Sequence, residues 1–365
     1  MRLDRLELLN FKNISEAKME FSPGVNCLLG LNGMGKSNLL EAIHFLSMAR
    51  PMNSIPESAM ITHGADLLMT KGHYRMDGGT EETVSCGIVK GKGKTLRRND
   101  KEYSRISDHI GRFPVVSVTP SDSELVTGSG EVRRRLLDMV ISQADRAYLS
   151  RLIRYNKSLE SRNKMLRAGV NDRLLYESIE TTMTEAATAI HAARRDWIER
   201  IKPLFARYYS TVSGDAERAS LSYKSILNER PLQEVLDAER GRDLALGFTT
   251  AGIHRDDITT RLGEYSMCRL GSQGQVKSFT IALRFAIFTY LREAGGETPI
   301  LLLDDIFDKL DRSRVSRIME EVSGGGSFGQ IFITDTNREH LDETIASIRS
   351  DSRLFEVADG KFSLI

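Results

Sequence analysis

Cysteine is scarce in this chain of 365 residues. Cys27, Cys86 and Cys268 lie far apart with no C-x-x-C pair, which argues against a disulfide framework or a zinc site and fits a reducing cytoplasm. Net charge is nearly absent as well, with 51 Lys and Arg against 50 Asp and Glu. A polyanionic partner therefore has to meet a local patch rather than the molecule as a whole. No apolar run approaches the roughly 18 residues of a membrane helix, and Met1-Arg2-Leu3-Asp4-Arg5-Leu6-Glu7 is too charged for a signal peptide. The expectation is a soluble, cytoplasmic protein with no membrane partner. Repeats and low-complexity segments are missing too, and Gly324-Gly325-Gly326 reads as a loop between a helix and the next strand. What is present is 40% hydrophobic and 28% charged, enough for a large core split into two lobes.

Residues 3–10 and 17–21 alternate apolar and charged positions around a polar turn at Asn13 and Ser15. This predicts two antiparallel strands leading to the apolar run Val25-Asn26-Cys27-Leu28-Leu29. Residues 66–103 are polar and β-rich, with Gly78-Gly79 and Gly91-Lys92-Gly93 marking hairpin turns between 67–76, 83–90 and 95–98, a subsidiary antiparallel sheet. Residues 113–118 read as a buried strand ending at Pro120.

From 131 to 209 the pattern is helical. One helix keeps a stripe at Tyr148, Leu152, Tyr155, Leu159 and Leu166 and ends at Gly169. Asn171 or Asp172 caps the next, which carries Leu175, Ile179, Met183, Ala186, Ile190, Ala193, Trp197 and Ile201 until Pro203 interrupts it. A connection of about three residues makes the two antiparallel, the longer reaching about 45 Å, which reads as an arm. After Gly252, helices at 276–291 and 313–322 alternate with buried strands at 300–303 and 331–333, as in an α/β sheet. The predicted fold is α/β: a head in two parts, residues 1–125 and 248–365, with an antiparallel β subdomain and an inserted helical arm at 126–247.

The run Gly30-Leu31-Asn32-Gly33-Met34-Gly35-Lys36-Ser37 matches the P-loop, G-x-x-x-x-G-K-[ST]. It lies between an apolar strand and a helix over 38–48, the context that loop requires. Glycines let backbone N–H groups converge on phosphates at a helix N-terminus. Lys36 is placed to reach the β- and γ-phosphates and Ser37 to supply a hydroxyl to Mg²⁺. Ile300-Leu301-Leu302-Leu303-Asp304-Asp305 is an apolar strand ending in two acids, the Walker B pattern. Asp304 is expected in the Mg²⁺ shell and Asp305 to orient and polarise the attacking water.

Leu270-Gly271-Ser272-Gln273-Gly274-Gln275 resembles the signature motif of ATP-binding-cassette (ABC) ATPases, although alone it is only a Ser/Gly helix cap. Asp308-Lys309-Leu310-Asp311 follows the acids where a D-loop belongs, and the signature precedes them by about 30 residues. That is the cassette order, and it predicts an ABC-type P-loop ATPase head.

Three further stretches narrow the resemblance: Asn10-Phe11-Lys12-Asn13, Val132-Arg133-Arg134-Arg135-Leu136-Leu137-Asp138 and Ala251-Gly252-Ile253-His254-Arg255-Asp256-Asp257. With them, essentially the whole chain resembles the RecF family, bacterial recombination-repair ATPases related to SMC heads, with a short arm in place of a long coiled coil. The resemblance implies ATP and Mg²⁺ as cofactors and an ATP-dependent homodimer. It also implies binding to DNA gaps and single-strand/double-strand junctions, with RecO and RecR as partners and RecA served indirectly, and a weak ATPase that acts as a switch. Carried onto this chain, it makes residues 30–37 the nucleotide loop, Lys36, Ser272 and Asp305 the catalytic residues, and Ser37 and Asp304 the metal ligands. Ser272 and Gln275 act across the dimer, Asp311 couples the two sites, and Lys12 and Asn13 lie near the adenine or ribose.

The chain departs from the cassette pattern in four places. Thr334-Asp335-Thr336 stands where many relatives place a switch histidine, leaving Asp335 or Thr336 to replace it. Asp305 replaces the glutamate of transporter ATPases, a shorter reach that suits slow turnover. Ala49-Arg50-Pro51-Met52-Asn53-Ser54 offers the single arginine Arg50 to a γ-phosphate, and Ile253 replaces a usual proline.

Residues 131–170 hold ten Lys or Arg against four Asp or Glu. They form either a phosphate-binding surface or a solvated helix face. Lys90, Lys92, Lys94, Arg97 and Arg98 make a second such surface, and His254 is either a loop histidine or a nucleotide sensor. Two rival readings are the nucleotide-binding subunit of an ABC transporter and a stand-alone metabolic kinase.

Overall fold

A computed structural model describes residues 1–53, 55–170, 172–215, 217–308, 310–323, 328–339, 341–342 and 351–365. The expected cap at Asn171, Lys309 of the D-loop, Ser54 and the 324–326 glycine loop lie outside these residues. The chain forms two compact units, residues 1–122, 208–216 and 273–365 in the first, and 123–207 and 217–272 in the second.

The first unit opens with strands β1 (Arg2–Phe11), β2 (Ile14–Glu20) and β3 (Val25–Leu29), helix α1 (Lys36–Met48), and strands β4 (Leu67–Arg75), β5 (Glu81–Val89), β6 (Gly93–Arg98), β7 (Lys101–Glu102) and β8 (Val115–Val118). The second unit carries α2 (Glu124–Thr127), α3 (Gly130–Ala144), α4 (Arg146–Arg167), most of α5 (Arg173–Ser213), β9 (Ala219–Lys224), α6 (Leu232–Leu246), β10 (Asp257–Leu262), β11 (Tyr265–Ser266) and α7 (Met267–Leu270). The first unit resumes with α8 (Gln273–Gly295), β12 (Ile300–Asp304), α9 (Arg312–Ser323), β13 (Ile331–Asp335), β14 (Ser352–Ala358) and β15 (Lys361–Leu364).

Two six-stranded sheets build the first unit. One runs β15-β14-β3-β13-β12-β8, parallel throughout except for β15 at its edge. Its central strands are apolar on both faces because both are covered, so the consecutive residues Leu301 and Leu302, and likewise Phe332 and Ile333, are wholly buried. The other is antiparallel, β2-β1-β4-β5-β6-β7. The expected hairpins at 67–98 therefore extend the β1–β2 pair rather than forming a separate sheet. The β7 strand had no visible pattern; Asn99 and Asp100, at φ of +49° and +62°, make the tight turn that creates it.

In the second unit, α4 and α5 form an antiparallel hairpin: Tyr148 meets Arg194 at 3.1 Å, Arg154 meets Glu185 at 3.0 Å and Arg162 meets Glu180 at 2.8 Å. Gly169, at φ +64°, ends the first helix as expected, and the Asp172 carboxylate accepts from the Leu174 and Leu175 N–H groups to start the second. Three details differ from expectation. Pro203 does not interrupt α5, which runs 41 residues, about 60 Å at 1.5 Å per residue. The proline forfeits one helical donor, whereas Phe205, Tyr208, Tyr209 and Val212 continue the buried stripe beyond it. Leu175 is exposed because it lies in the first turn, outside that stripe. Residues 248–272, expected with the head, group with the second unit because β10 pairs with β9 in the sheet β11-β10-β9.

Candidate nucleotide site

The carboxyl ends of β3, β13 and β12 lie side by side, the edge of a parallel sheet where ligands are bound. At the end of β3 the chain turns at Gly30, where an added Cβ would come within 2.4 Å of the Val357 carbonyl oxygen on β14. Gly35, at φ +113°, then hands the chain into α1 in a conformation that favours glycine, so the helix begins at Lys36 with its first N–H groups free of helical partners.

Lys36 is buried and folds back on the loop, donating to the Gly30 carbonyl at 2.7 Å and the Leu31 carbonyl at 3.0 Å. Burial draws its pKa below the usual lysine range, opposed by the charges of Asp305, Asp304 and Asp335. The Ser37 hydroxyl donates to Asp304 Oδ1 at 2.8 Å, and the Thr334 hydroxyl donates to the same oxygen at 2.7 Å. Burial raises the Asp304 pKa, the two hydroxyls oppose that rise, and the neighbouring Asp305 adds to it. Asp305, at φ +50°, donates its N–H to Thr334 Oγ1 at 3.0 Å, and its carbonyl accepts from Lys277 Nζ at 3.1 Å. Among the described residues, one cleft is lined by Asn32, Gly33, Gly35, Lys36, Ser37, Asn38, Asp304, Asp305 and Thr334.

The donor set suits Mg²⁺. Ser37 Oγ and Asp304 Oδ1 are hard oxygens 2.8 Å apart, and magnesium takes one or two protein oxygens and completes its shell with water and phosphate. Among the described residues there is no group of three or more His, Cys, Asp or Glu, so a transition-metal cage is not what this edge offers.

The family model described as RecF/RecN/SMC N terminal domain matches residues 2–358. A Porphyromonas gingivalis protein named DNA replication and repair protein RecF is 48% identical over 362 residues, 99% of each chain. A Parabacteroides distasonis protein of the same name is 45% identical over 361 residues, 99% of this chain and 98% of the other. The chain belongs to the RecF family. A solved structure of the recombination mediator protein RecF-ATP in the RecFOR pathway matches it with a TM-score of 0.88 at 28% identity, covering 100% of this chain and 97% of that one. An Smc head domain from Pyrococcus furiosus, 18% identical with a TM-score of 0.60, shares the fold. The architecture is thus that of the ABC-type ATPase heads of RecF and SMC proteins. Membership of that family sets aside the transporter-subunit and kinase readings. No helix among the described residues is long and apolar enough to cross a membrane.

The remaining expected site residues of this RecF-family chain lie outside the cleft lining. Asn13, in the β1–β2 turn, donates to the Gly33 carbonyl at 3.2 Å and accepts from Asn38 at 2.7 Å, so it braces the loop against α1. Lys12 pairs with Glu41 on α1. Ser272 is exposed just before α8, and Gln275 sits in the first turn of that helix. Asp311 caps α9, its carboxylate accepting from Ser313 Oγ at 2.6 Å and the Arg314 N–H at 3.0 Å, which holds its pKa down. Arg50 is exposed beyond α1. Of the two switch candidates, Asp335 is buried and accepts from the Thr336 and Asn337 N–H groups, turning its own loop, and Thr336 is exposed; the residue that faces the acids is their neighbour Thr334.

Both family stretches of the second unit lock onto each other. Arg133 forks onto Asp257 at 2.6 and 2.9 Å, Arg134 donates to the Asp256 carbonyl at 2.7 Å, and Arg194 bridges Asp138 at 2.8 Å and Asp256 at 2.7 Å. His254 hydrogen-bonds Tyr155 at 2.8 Å and the Thr249 carbonyl at 3.1 Å, and burial lowers its pKa to about 4. Both ring nitrogens are thus engaged within the second unit, the arrangement of a loop histidine.

The basic stretches are thinned in the same way. Arg162 is wholly buried against Glu180 and Asp243, Lys94 pairs with Glu57, and Arg98 with Glu82. Arg146, Arg151, Lys157, Lys90 and Lys92 remain exposed. Thr334 and Lys277 were missed. Thr334 follows an apolar strand as Asp304 does, and that shared position was the available signal.

Proposed function

We propose that this chain is an ATP-gated DNA clamp of recombination repair. The observation that supports it most is the convergence of Lys36, Ser37, Asp304 and Asp305 on one cleft in a chain related to RecF over its full length. In this reading residues 30–37 cradle the phosphates and Lys36 exchanges the loop carbonyls for phosphate oxygens. Ser37 and Asp304 hold Mg²⁺, which supplies charge neutralisation at the phosphates when bound, and Asp305 orients and polarises the attacking water. Lys12 and Asn13 stand on the adenine or ribose side. Ser272 and Gln275 act on the nucleotide of a second copy, with Asp311 coupling the two sites. Closure around two ATP molecules holds gapped or junction DNA, RecO and RecR join it, and RecA is loaded as a consequence. Hydrolysis is weak and releases the clamp, in the cytoplasm.

The test is Asp305→Asn. With ATP and Mg²⁺ it is expected to accumulate as a dimer by light scattering and to retain gapped DNA in a salt-sensitive way, while Lys36→Met does neither. An Asp305→Asn dimer that never retains DNA at low salt overturns the clamp.

A further inference from the structure

We infer that Thr334 is a positioning residue for the two Walker B acids and that Thr334 and Lys277 together clamp the backbone of Asp305 from both ends. This rests on the nucleotide reading above and adds to it the groups that fix where the hydrolytic carboxylate stands.

Strand register brings Thr334 to the acids. β12 and β13 are parallel neighbours with Asp304 opposite Thr334, and β13 pairs in turn with β3, Thr334 opposite Leu28. The residue thus sits in the strand between the P-loop strand and the acid strand. It is wholly buried, so its hydroxyl cannot exchange these partners for bulk water. It donates to Asp304 Oδ1 at 2.7 Å and accepts from the Asp305 N–H at 3.0 Å. A hydroxyl can donate and accept at once, whereas valine fills the same shape and does neither.

Asp305 needs such support. Its φ of +50° is a conformation that L residues rarely take and that aspartate tolerates better than most. Thr334 fixes its N–H, and Lys277, in the second turn of α8, fixes its carbonyl at 3.1 Å. With both flanking peptide groups held, only the side-chain torsions of Asp305 stay free, and the short carboxylate reaches where the clamp points it. Misplacing a reacting group by about 1 Å can cost roughly 100-fold in rate. Thr334 also opposes Ser37 across Asp304 Oδ1, holding that oxygen from the sheet side.

Steady-state ATP turnover, labelled-nucleotide affinity and the thermal midpoint of the wild-type chain, Thr334→Val, Thr334→Ser and Lys277→Met test this. Thr334→Val is expected to lose kcat by roughly 10- to 100-fold with little change in KM or nucleotide affinity. Thr334→Ser keeps most of the turnover, and Lys277→Met shows a smaller loss in kcat with KM retained. Wild-type kcat in Thr334→Val overturns the clamp, as does a Thr334→Ser variant impaired as badly as the valine. A kcat loss matched by an equal loss of affinity also overturns it, because the P-loop would then have moved. Should the valine variant lose its cooperative melt, Lys277→Met decides: folded with wild-type kcat, it overturns the clamp. A wild-type chain that neither binds nor hydrolyses ATP overturns the nucleotide reading and the clamp with it. Turnover in wild type with an unaffected valine variant overturns the clamp alone.

Discussion

His109 is wholly buried, and its two ring nitrogens meet the Leu46 carbonyl at 2.7 Å and the Tyr103 hydroxyl at 3.2 Å. The carbonyl can only accept, so Nε2 carries the proton and Nδ1 accepts from tyrosine, a neutral ring with both nitrogens satisfied. Burial lowers its pKa to about 4, with the Leu46 hydrogen bond opposing. Unfolded, the same ring titrates near 6.5. Between these values the unfolded chain holds one more proton than the folded one. The stability tied to His109 is therefore complete above about pH 6.5 and is lost as pH falls towards about 4. Urea unfolding at pH 7 and pH 5 should show His109→Gln with a shallower pH slope than wild type, by up to about 1.4 kcal/mol per pH unit. Equal slopes would show that the ring is not held neutral. At this scale the sequence was legible where chemistry is local. Asp304, Asp305 and Lys36 declare themselves by type and spacing, whereas Thr334 depends on which strand becomes its neighbour, and register is not written in a local pattern.

Elements show the same divide. The P-loop strand, its helix and the acid strand were readable because each is a short apolar string bounded by glycine or acid. The length of α5 was not, because a proline's local penalty of about 3 kcal/mol is outweighed by burial further along the helix, a tertiary fact. The α4–α5 hairpin also shows which ion pairs matter. Arg162 is fully buried, donating to Glu180, Asp243 and Thr249, whereas Arg154 and Glu185 are both more than half exposed. Removing one partner of a buried pair strands a charge in a dry interior and costs about 3–5 kcal/mol, while a surface pair contributes about 0–1 kcal/mol. Arg162→Ala should therefore unfold at markedly lower urea concentration and Arg154→Ala close to wild type. Similar midpoints for the two would mean that the buried network is not what fixes the hairpin.

For the molecule as a whole, balanced charge means that the DNA affinity of the proposed clamp has to come from few cations, and the structure removes some of those counted in the sequence. Arg133 and Arg162 are spent on carboxylates inside the second unit, so the density of arginine between 131 and 170 overstates the surface available to phosphate. Arg146 and Lys157 are exposed on α4, separated by about three helical turns and hence on one face. Each cation that neutralises a phosphate releases a condensed counterion, and the logarithm of affinity falls against the logarithm of salt by about 0.9 per contact on duplex DNA. In the proposed clamp, a dimer that carries each residue twice, replacing both by alanine should make that slope shallower by up to about 3.6. ATP turnover without DNA should not change, because neither residue belongs to the nucleotide cleft. Affinity is measured by fluorescence anisotropy on gapped DNA over a salt series, with the Asp305→Asn change in both proteins so that ATP keeps the dimer closed. A slope unchanged by the double substitution would place the DNA elsewhere, and the same measurement on a Lys90→Ala, Lys92→Ala pair then tests the other exposed basic surface.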